Sequence, residues 1–516
     1  MARLWVWLRE DVWEIRFRRY IALTLAAVLV GLGVWGGMTA TKEDRSCAPG
    51  VVQPKDSTEC VGVSSTTYAF GRPQFADAVR AINRENHRLA PGSYVTVALL
   101  EPFTATDPDN LGDVLHELQG AYLAQYQANH DTIAIGPKPK IRLVLANPGA
   151  TGASWRHTVD QLDRMTKGPD RLRAVTGVGV STENNKKAVA ELTRRGIPVI
   201  GSSITADDLA NGQNGEDPFR GLARVSPTNT DEARALASFA KVSAANAFLV
   251  YDRTGDPYTR TLQKSFERMF KGARHMTQPF TPPADRSKEG STANVFAQIA
   301  TILCSTPKRT DTVLFAGRHT QLRQFINALG VRGCSDRRFT VLTGDEGSYL
   351  AGDKDLDPAA LKDPLLTVRY TALAHPDAWL EDGAKTGGSA ADAKVLQRLL
   401  DSAAREPVGP IGKVALDDGQ LIIAYDAMRL AVRGIRGASP TGRTPALADV
   451  GLQWPQVKGR QLRVNGASGW ICLDAHGNPY DKAVPIVELT HDSRARFVKI
   501  GWPEGRPPAA ECLPPS

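Results

Sequence analysis

Residues 174–205 read AVTGVGVSTENNKKAVAELTRRGIPVIGSSIT. An apolar run over 174–180 ends in the hydroxyl pair Ser181 and Thr182. A helical stretch through 184–195 follows, and a second apolar run over 198–200 stops before Ser202. Apolar runs of this length, bounded by turn residues and joined by a helix, read as parallel strands buried on both faces. The stretch therefore predicts one strand-helix-strand unit of an open parallel sheet.

The same alternation extends in both directions. Upstream, 95–100 (VTVALL) leads to a helix over 110–129, and 141–146 (IRLVLA) leads to one over 154–167. After Ser226 and Pro227 a second series begins: a helix over 230–242, a strand over 247–251, a helix over 258–270, an element over 295–303, a strand over 312–315, a helix over 320–329 and a strand over 339–342. A later helix over 420–436 returns to one of the two. The expected fold is α/β, two doubly wound three-layer α/β/α lobes with a hinge. Lobe 1 is placed at 93–225 and 371–440, lobe 2 at 226–370 and 441–500, and a Pro-rich tail at 501–516.

Ahead of the lobes, residues 20–40 (YIALTLAAVLVGLGVWGGMTA) carry no charge. About 20 helical residues match a hydrocarbon core of about 30 Å, so the run predicts one transmembrane anchor. Arg3, Arg9, Arg16, Arg18 and Arg19 precede it, whereas Glu43 and Asp44 offset Lys42 and Arg45 behind it. That asymmetry keeps segment 1–19, with its interfacial Trp5, Trp7 and Trp13, cytoplasmic, and places the bulk of the chain outside the cell membrane. A cleaved signal peptide would end in a small-x-small site, which Met38-Thr39-Ala40 matches poorly. Residues 41–92 read as a stalk with a helix over 73–88.

The six cysteines, Cys47, Cys60, Cys304, Cys334, Cys472 and Cys512, all follow the apolar run, and none has C-x-x-C spacing. Disulfides between sequence neighbours are expected: Cys47 with Cys60, Cys304 with Cys334, Cys472 with Cys512. The net charge of +8 is spread along the chain without a basic block interleaved with aromatics, so no nucleic-acid partner is expected.

Ligands of open parallel sheets sit beyond the carboxyl ends of the strands, where helix N-termini offer free N–H groups. Here these positions hold Glu101-Pro102-Phe103-Thr104, Ser181-Thr182-Glu183-Asn184 and Ser202-Ser203-Ile204-Thr205. One such hydroxyl is usually a helix cap. Three groups of them at one sheet edge point to binding of a carboxylate or similar anion.

Several segments resemble the branched-chain amino acid (Leu/Ile/Val) binding proteins of ABC transporters, which have the type I periplasmic-binding fold. They are VTVALLEPFT (95–104), RRGIPVIGSSITADDL (194–209), ARVSPTNTDEARALASF (223–239), LVYDRTGDPYTRTL (249–262) and IIAYDAMRLAVRGI (422–435). The resemblance spans roughly 94–490. It implies that Thr104 lies in the opening turn, that Ser181 or Thr182 with Ser203 and Thr205 holds a ligand carboxylate, and that Tyr258 reaches in from the second lobe. Where the family often has an acidic amine partner, this chain has Arg318 and His319. An arginine pairs bidentately with an acid, and Asp345 or Glu346 restores the negative charge.

No enzyme is expected. Gly466-Ala467-Ser468-Gly469 falls short of a nucleophile elbow, and H-E-x-x-H, dinucleotide and P-loop patterns are missing. Asp107, Asp109 and Asp113 lack the glycine and terminal glutamate of a calcium loop, so neither metal nor cofactor is expected. The sequence thus reads as a membrane-anchored solute-binding protein closing on a small polar, amino-acid-like or acidic ligand, with an ABC permease as partner. The alternative is a sensor or scaffold subunit that reads a ligand or a membrane-associated regulatory protein.

Overall fold

The computed structural model describes residues 16–40, 45–130, 139–213, 215–270, 276–283 and 290–514. They fall in two compact units, Met1–Cys47 and Ala48–Ser516. In the first, the apolar run is helical over Arg16–Ala40. Among the described residues, however, no helix is long and apolar enough to cross a membrane. The expected span over 20–40 is therefore not found. Residues 1–15, read as the interfacial start, lie outside the described residues.

The second unit holds two sheets. In the first, neighbouring strands run Val51–Val52, Val61–Ser64, Lys140–Asn147, Tyr94–Leu100, Leu172–Gly177, Val199–Gly201, Leu222–Arg224. The last five pair in parallel, and Val61–Ser64 lies antiparallel to Lys140–Asn147. The second sheet runs Met276–Phe280, Ala247–Asp252, Thr312–Ala316, Phe339–Thr343, Leu366–Thr371, Val484–Leu489, Ala495–Gly501. Its first five strands are parallel and the last two antiparallel. The earliest parallel strand of each sheet, Tyr94–Leu100 or Ala247–Asp252, has later strands on both sides. Each sheet thus has a topological switch at that strand, and the crevice for a ligand opens beyond its carboxyl end.

Burial explains which segments became strands. Thr312–Ala316 is buried at every position, and Tyr94–Leu100 at all but its first. Separate apolar cores cover the lobes; the second contains Phe280, Phe296, Phe315 and Phe325, with ring centroids 5.0–5.7 Å apart between Phe280–Phe296, Phe280–Phe315, Phe296–Phe325 and Phe315–Phe325. Helix Gln420–Gly437 packs on helix Pro108–His130 of the first lobe. Gly120 permits the approach, since a Cβ there would lie 2.2 Å from the Leu421 carbonyl oxygen.

Two expectations change. The stretch read as a stalk supplies Val51–Val52 and Val61–Ser64 to the first sheet; these are too short to show a periodic pattern. The strand expected over 174–180 stops at Gly177, because Gly177, Val178 and Gly179 take φ of 90°, 85° and 66° and turn the chain out of the sheet. The Pro-rich tail is tied back by Cys472–Cys512, and Cys304–Cys334 closes as expected. Cys47 and Cys60 are also disulfide-bonded, leaving no free cysteine among the described residues.

Candidate functional site

Beyond the strand Thr312–Ala316 the chain turns at Gly317, and Arg318 precedes helix His319–Gly330. The Arg318 guanidinium donates to Asp256 Oδ2 at 2.7 and 2.8 Å, to Glu346 Oε1, and across the lobes to the Ser181 carbonyl oxygen at 2.8 Å. It lies 4.7 Å from the centroid of the Tyr258 ring. Burial works against the guanidinium's charge, but Asp256 and Glu346 outweigh it and raise its pKa. Burial likewise opposes ionisation of Glu346, yet Arg318 and His319 hold that carboxyl below the usual range. The Glu346 carboxylate also accepts from the His319 backbone N–H at 3.0 Å.

A cavity of about 250 Å³ adjoins this cluster. Asn110, Val180 and Thr182 line it from the first lobe; Asp256, Arg318, His319, Thr320, Gln321 and Glu346 line it from the second. Helix His319–Gly330 has no side-chain cap. Its first N–H is taken by Glu346, and the next two, from Thr320 and Gln321, have no partner within the helix. A helix N-terminus with free donors and a positive dipole end favours an anion or a strong acceptor. A second cavity of about 530 Å³ shares His319 and Thr320 and is bounded by Asp107, Arg323, Asp353, Lys354 and Asp355.

Of the eight residues expected to bind ligand, Thr182 and Arg318 line the smaller cavity. Thr182 also caps helix Glu183–Arg194, accepting from the Asn185 N–H at 3.2 Å. Ser181, beside it, accepts from the Ala206 N–H and offers its carbonyl to Arg318. Thr205 donates across the lobes to Asp345 at 3.4 Å. Burial, and then the charge of Glu346, push the Asp345 carboxyl up to about 7. Tyr258 is buried behind Arg318, its hydroxyl accepting from the Glu346 N–H at 3.4 Å. Thr104 lies apart, donating to Glu59 at 2.5 Å and accepting from Asn147 at 3.1 Å.

Ser203 points into the first lobe. It donates to Glu117 Oε1, and Ser202 donates to Glu117 Oε2 at 2.7 Å. Glu101, directly after the switch strand, hydrogen-bonds Glu117 and accepts from the Gly179 N–H at 3.1 Å. Burial and then Glu117 raise the Glu101 carboxyl well above the ordinary range. The role of Glu117 was not legible in the sequence: it sits 85 residues before Ser202 on a helix with no catalytic or metal motif. Glu101, at a strand end, stood where such groups are sought.

The sequence matches no protein-family model and no curated protein. Solved structures do match. A leucine-binding protein of Thermotoga maritima superposes with a TM-score of 0.55 at 14% identity, covering 80% of this chain and 99% of its own. The substrate-binding protein of a branched-chain amino acid transporter from Streptococcus pneumoniae, in complex with isoleucine, gives 0.54 at 16%, covering 79% and 99%. A solute-binding protein of an ABC transporter from R. palustris, in complex with benzoate, gives 0.51 at 13%, covering 81% and 98%. At these identities the likeness shows the fold, and the chain has the two-lobe, type I periplasmic-binding fold.

Proposed function

We propose that the protein binds a small polar solute between its two lobes, an amino-acid-like or acidic molecule, and performs no chemistry on it. The observation that carries this reading is the 250 Å³ cavity, bounded by both lobes and entered by the uncapped N-terminus of helix His319–Gly330. A ligand carboxylate accepts there from the Thr320 and Gln321 N–H groups, while Asp256 and Glu346 offer acceptors to an ammonium or hydroxyl group. Contacts to both lobes favour the closed form in proportion to their difference between open and closed states. The structural neighbours named above bind leucine, isoleucine and benzoate, which supports a ligand of this size. Membrane tethering through residues 20–40, with the lobes outside the cell and an ABC permease as partner, belongs to the same proposal. So does the division into lobes at 93–225 with 371–440 and 226–370 with 441–500, the first lobe also taking in the strands Val51–Val52 and Val61–Ser64.

The cross-lobe contacts of Arg318 and Thr205 favour a second reading, a sensor or scaffold whose lobes associate without solute. Thermal-shift and calorimetric titration of the full chain in detergent, over amino acids and aliphatic and aromatic acids, tests the first. Saturable binding that weakens in Thr182→Ala and Arg318→Ala supports it. A panel without a single binder leaves the sensor reading.

A further inference from the structure

Ser202 and Ser203 stand at the carboxyl edge of the first sheet, directly after Val199–Gly201. Both are buried, and each gives its hydroxyl to a different oxygen of the Glu117 carboxylate. Glu101 lies against the same carboxylate. The space that holds Glu101 depends on Gly177: its φ is +90°, and a Cβ there would lie 2.3 Å from Glu101 Oε1. Two hydroxyls converging on the two oxygens of a carboxylate make a recognition element for that group, whichever molecule the group belongs to.

We propose that Ser202 and Ser203 form a carboxylate-binding cradle occupied by the chain's own Glu117, and that this occupant determines which ligands the cleft accepts. A tethered carboxylate competes at an effective concentration in the millimolar range or above, so a free acid does not displace it. The cradle is closed to the acid group of a solute. That group is directed instead to the Thr320 and Gln321 N–H groups, about the smaller cavity. This last step rests on the solute-binding reading; the cradle itself does not.

Removing the occupant frees the cradle for a small external carboxylate. Glu117→Ala in the full chain is titrated with acetate, using sodium chloride at equal ionic strength as control and thermal unfolding as readout. Acetate is expected to raise the midpoint of the variant saturably, by several degrees more than chloride, with no such excess for the wild-type protein. The excess disappears when Ser202→Ala and Ser203→Ala are added. Acetate acting no better than chloride overturns the proposal, as does rescue that survives loss of both serines. If Glu117→Ala does not fold, a denaturant double-mutant cycle between the isosteric Glu117→Gln and Ser202→Ala reads the same contact. Coupling of about fivefold or more in the unfolding constant is expected, and additivity overturns the cradle. Acetate rescue with an empty metabolite panel leaves the cradle standing and removes the solute-binding reading; the opposite pattern does the reverse.

Discussion

Replacing Arg318 with methionine keeps the aliphatic stem and removes the cation that bonds Asp256 and Glu346 together. Glu346 is 4% exposed at its side chain, whereas Asp256 is 33% exposed and Arg318 19%, so the effect centres on Glu346. Breaking a buried pair from one side typically costs about 3–5 kcal/mol, because the remaining charge is buried without its partner. Water reaches the Asp256 side and screens it, so a loss near the lower end, about 3 kcal/mol at pH 7.5, is expected. The loss should also depend on pH. In the wild-type protein Arg318 and His319 hold Glu346 below its unfolded value despite burial. That stabilisation is fully present above the unfolded pKa and is lost as pH falls through the folded one. Without the arginine, burial is opposed by His319 alone, and the Glu346 carboxyl rises. The carboxylate is then easier to protonate, and the gap between the two proteins narrows as pH falls from 7.5 to 5, by about 1 kcal/mol or more. Urea unfolding followed by tryptophan fluorescence at the two pH values measures both quantities. A deficit below about 1 kcal/mol at pH 7.5, or one that is equal at both pH values, would refute the reasoning.

Asp345→Asn should flatten a slope in stability. The folded carboxyl titrates at about 7 against an unfolded value near 3.9, so wild-type stability declines as pH rises between those values; denaturation midpoints at pH 4.5 and 7.5 should differ less in the variant. Replacing Cys304 and Cys334 with serine opens a loop of sequence separation 30 and should cost about 2–4 kcal/mol in chemical denaturation, with ligand contacts intact. Phe315→Ala removes a fully buried ring that stacks on Phe280 and Phe325, and a loss of about 3–5 kcal/mol is expected from the same measurement.

The parallel strands were legible because burial on both faces leaves them as unbroken apolar runs: 247–251 was expected and Ala247–Asp252 observed, 312–315 expected and Thr312–Ala316 observed. The antiparallel rim was not. Ala495–Gly501 mixes exposed Arg496 and Lys499 with buried Phe497, and Val484–Leu489 contains Pro485, so neither reads as a sheet strand on its own. Thr182 could be singled out because strand ends are where open sheets bind, and Arg318 because of the resemblance to the branched-chain amino acid binding proteins. The partners of the serines could not be, since Glu117 meets Ser202 and Ser203 only after helix Pro108–His130 has packed over the sheet. The apolar run at 20–40 shows the converse: composition indicated a span, while among the described residues no helix is long and apolar enough to cross a membrane.

The central claim is that a solute occupies the smaller cavity between the lobes. A crystal or cryo-electron microscopy structure of the full chain with the strongest binder from the metabolite panel tests it most directly. The account predicts ligand density against Thr182, Arg318 and the N–H groups of Thr320 and Gln321, with Glu117 still held by Ser202 and Ser203. Ligand density at any other place, or Glu117 displaced by the ligand's own carboxylate, would contradict it.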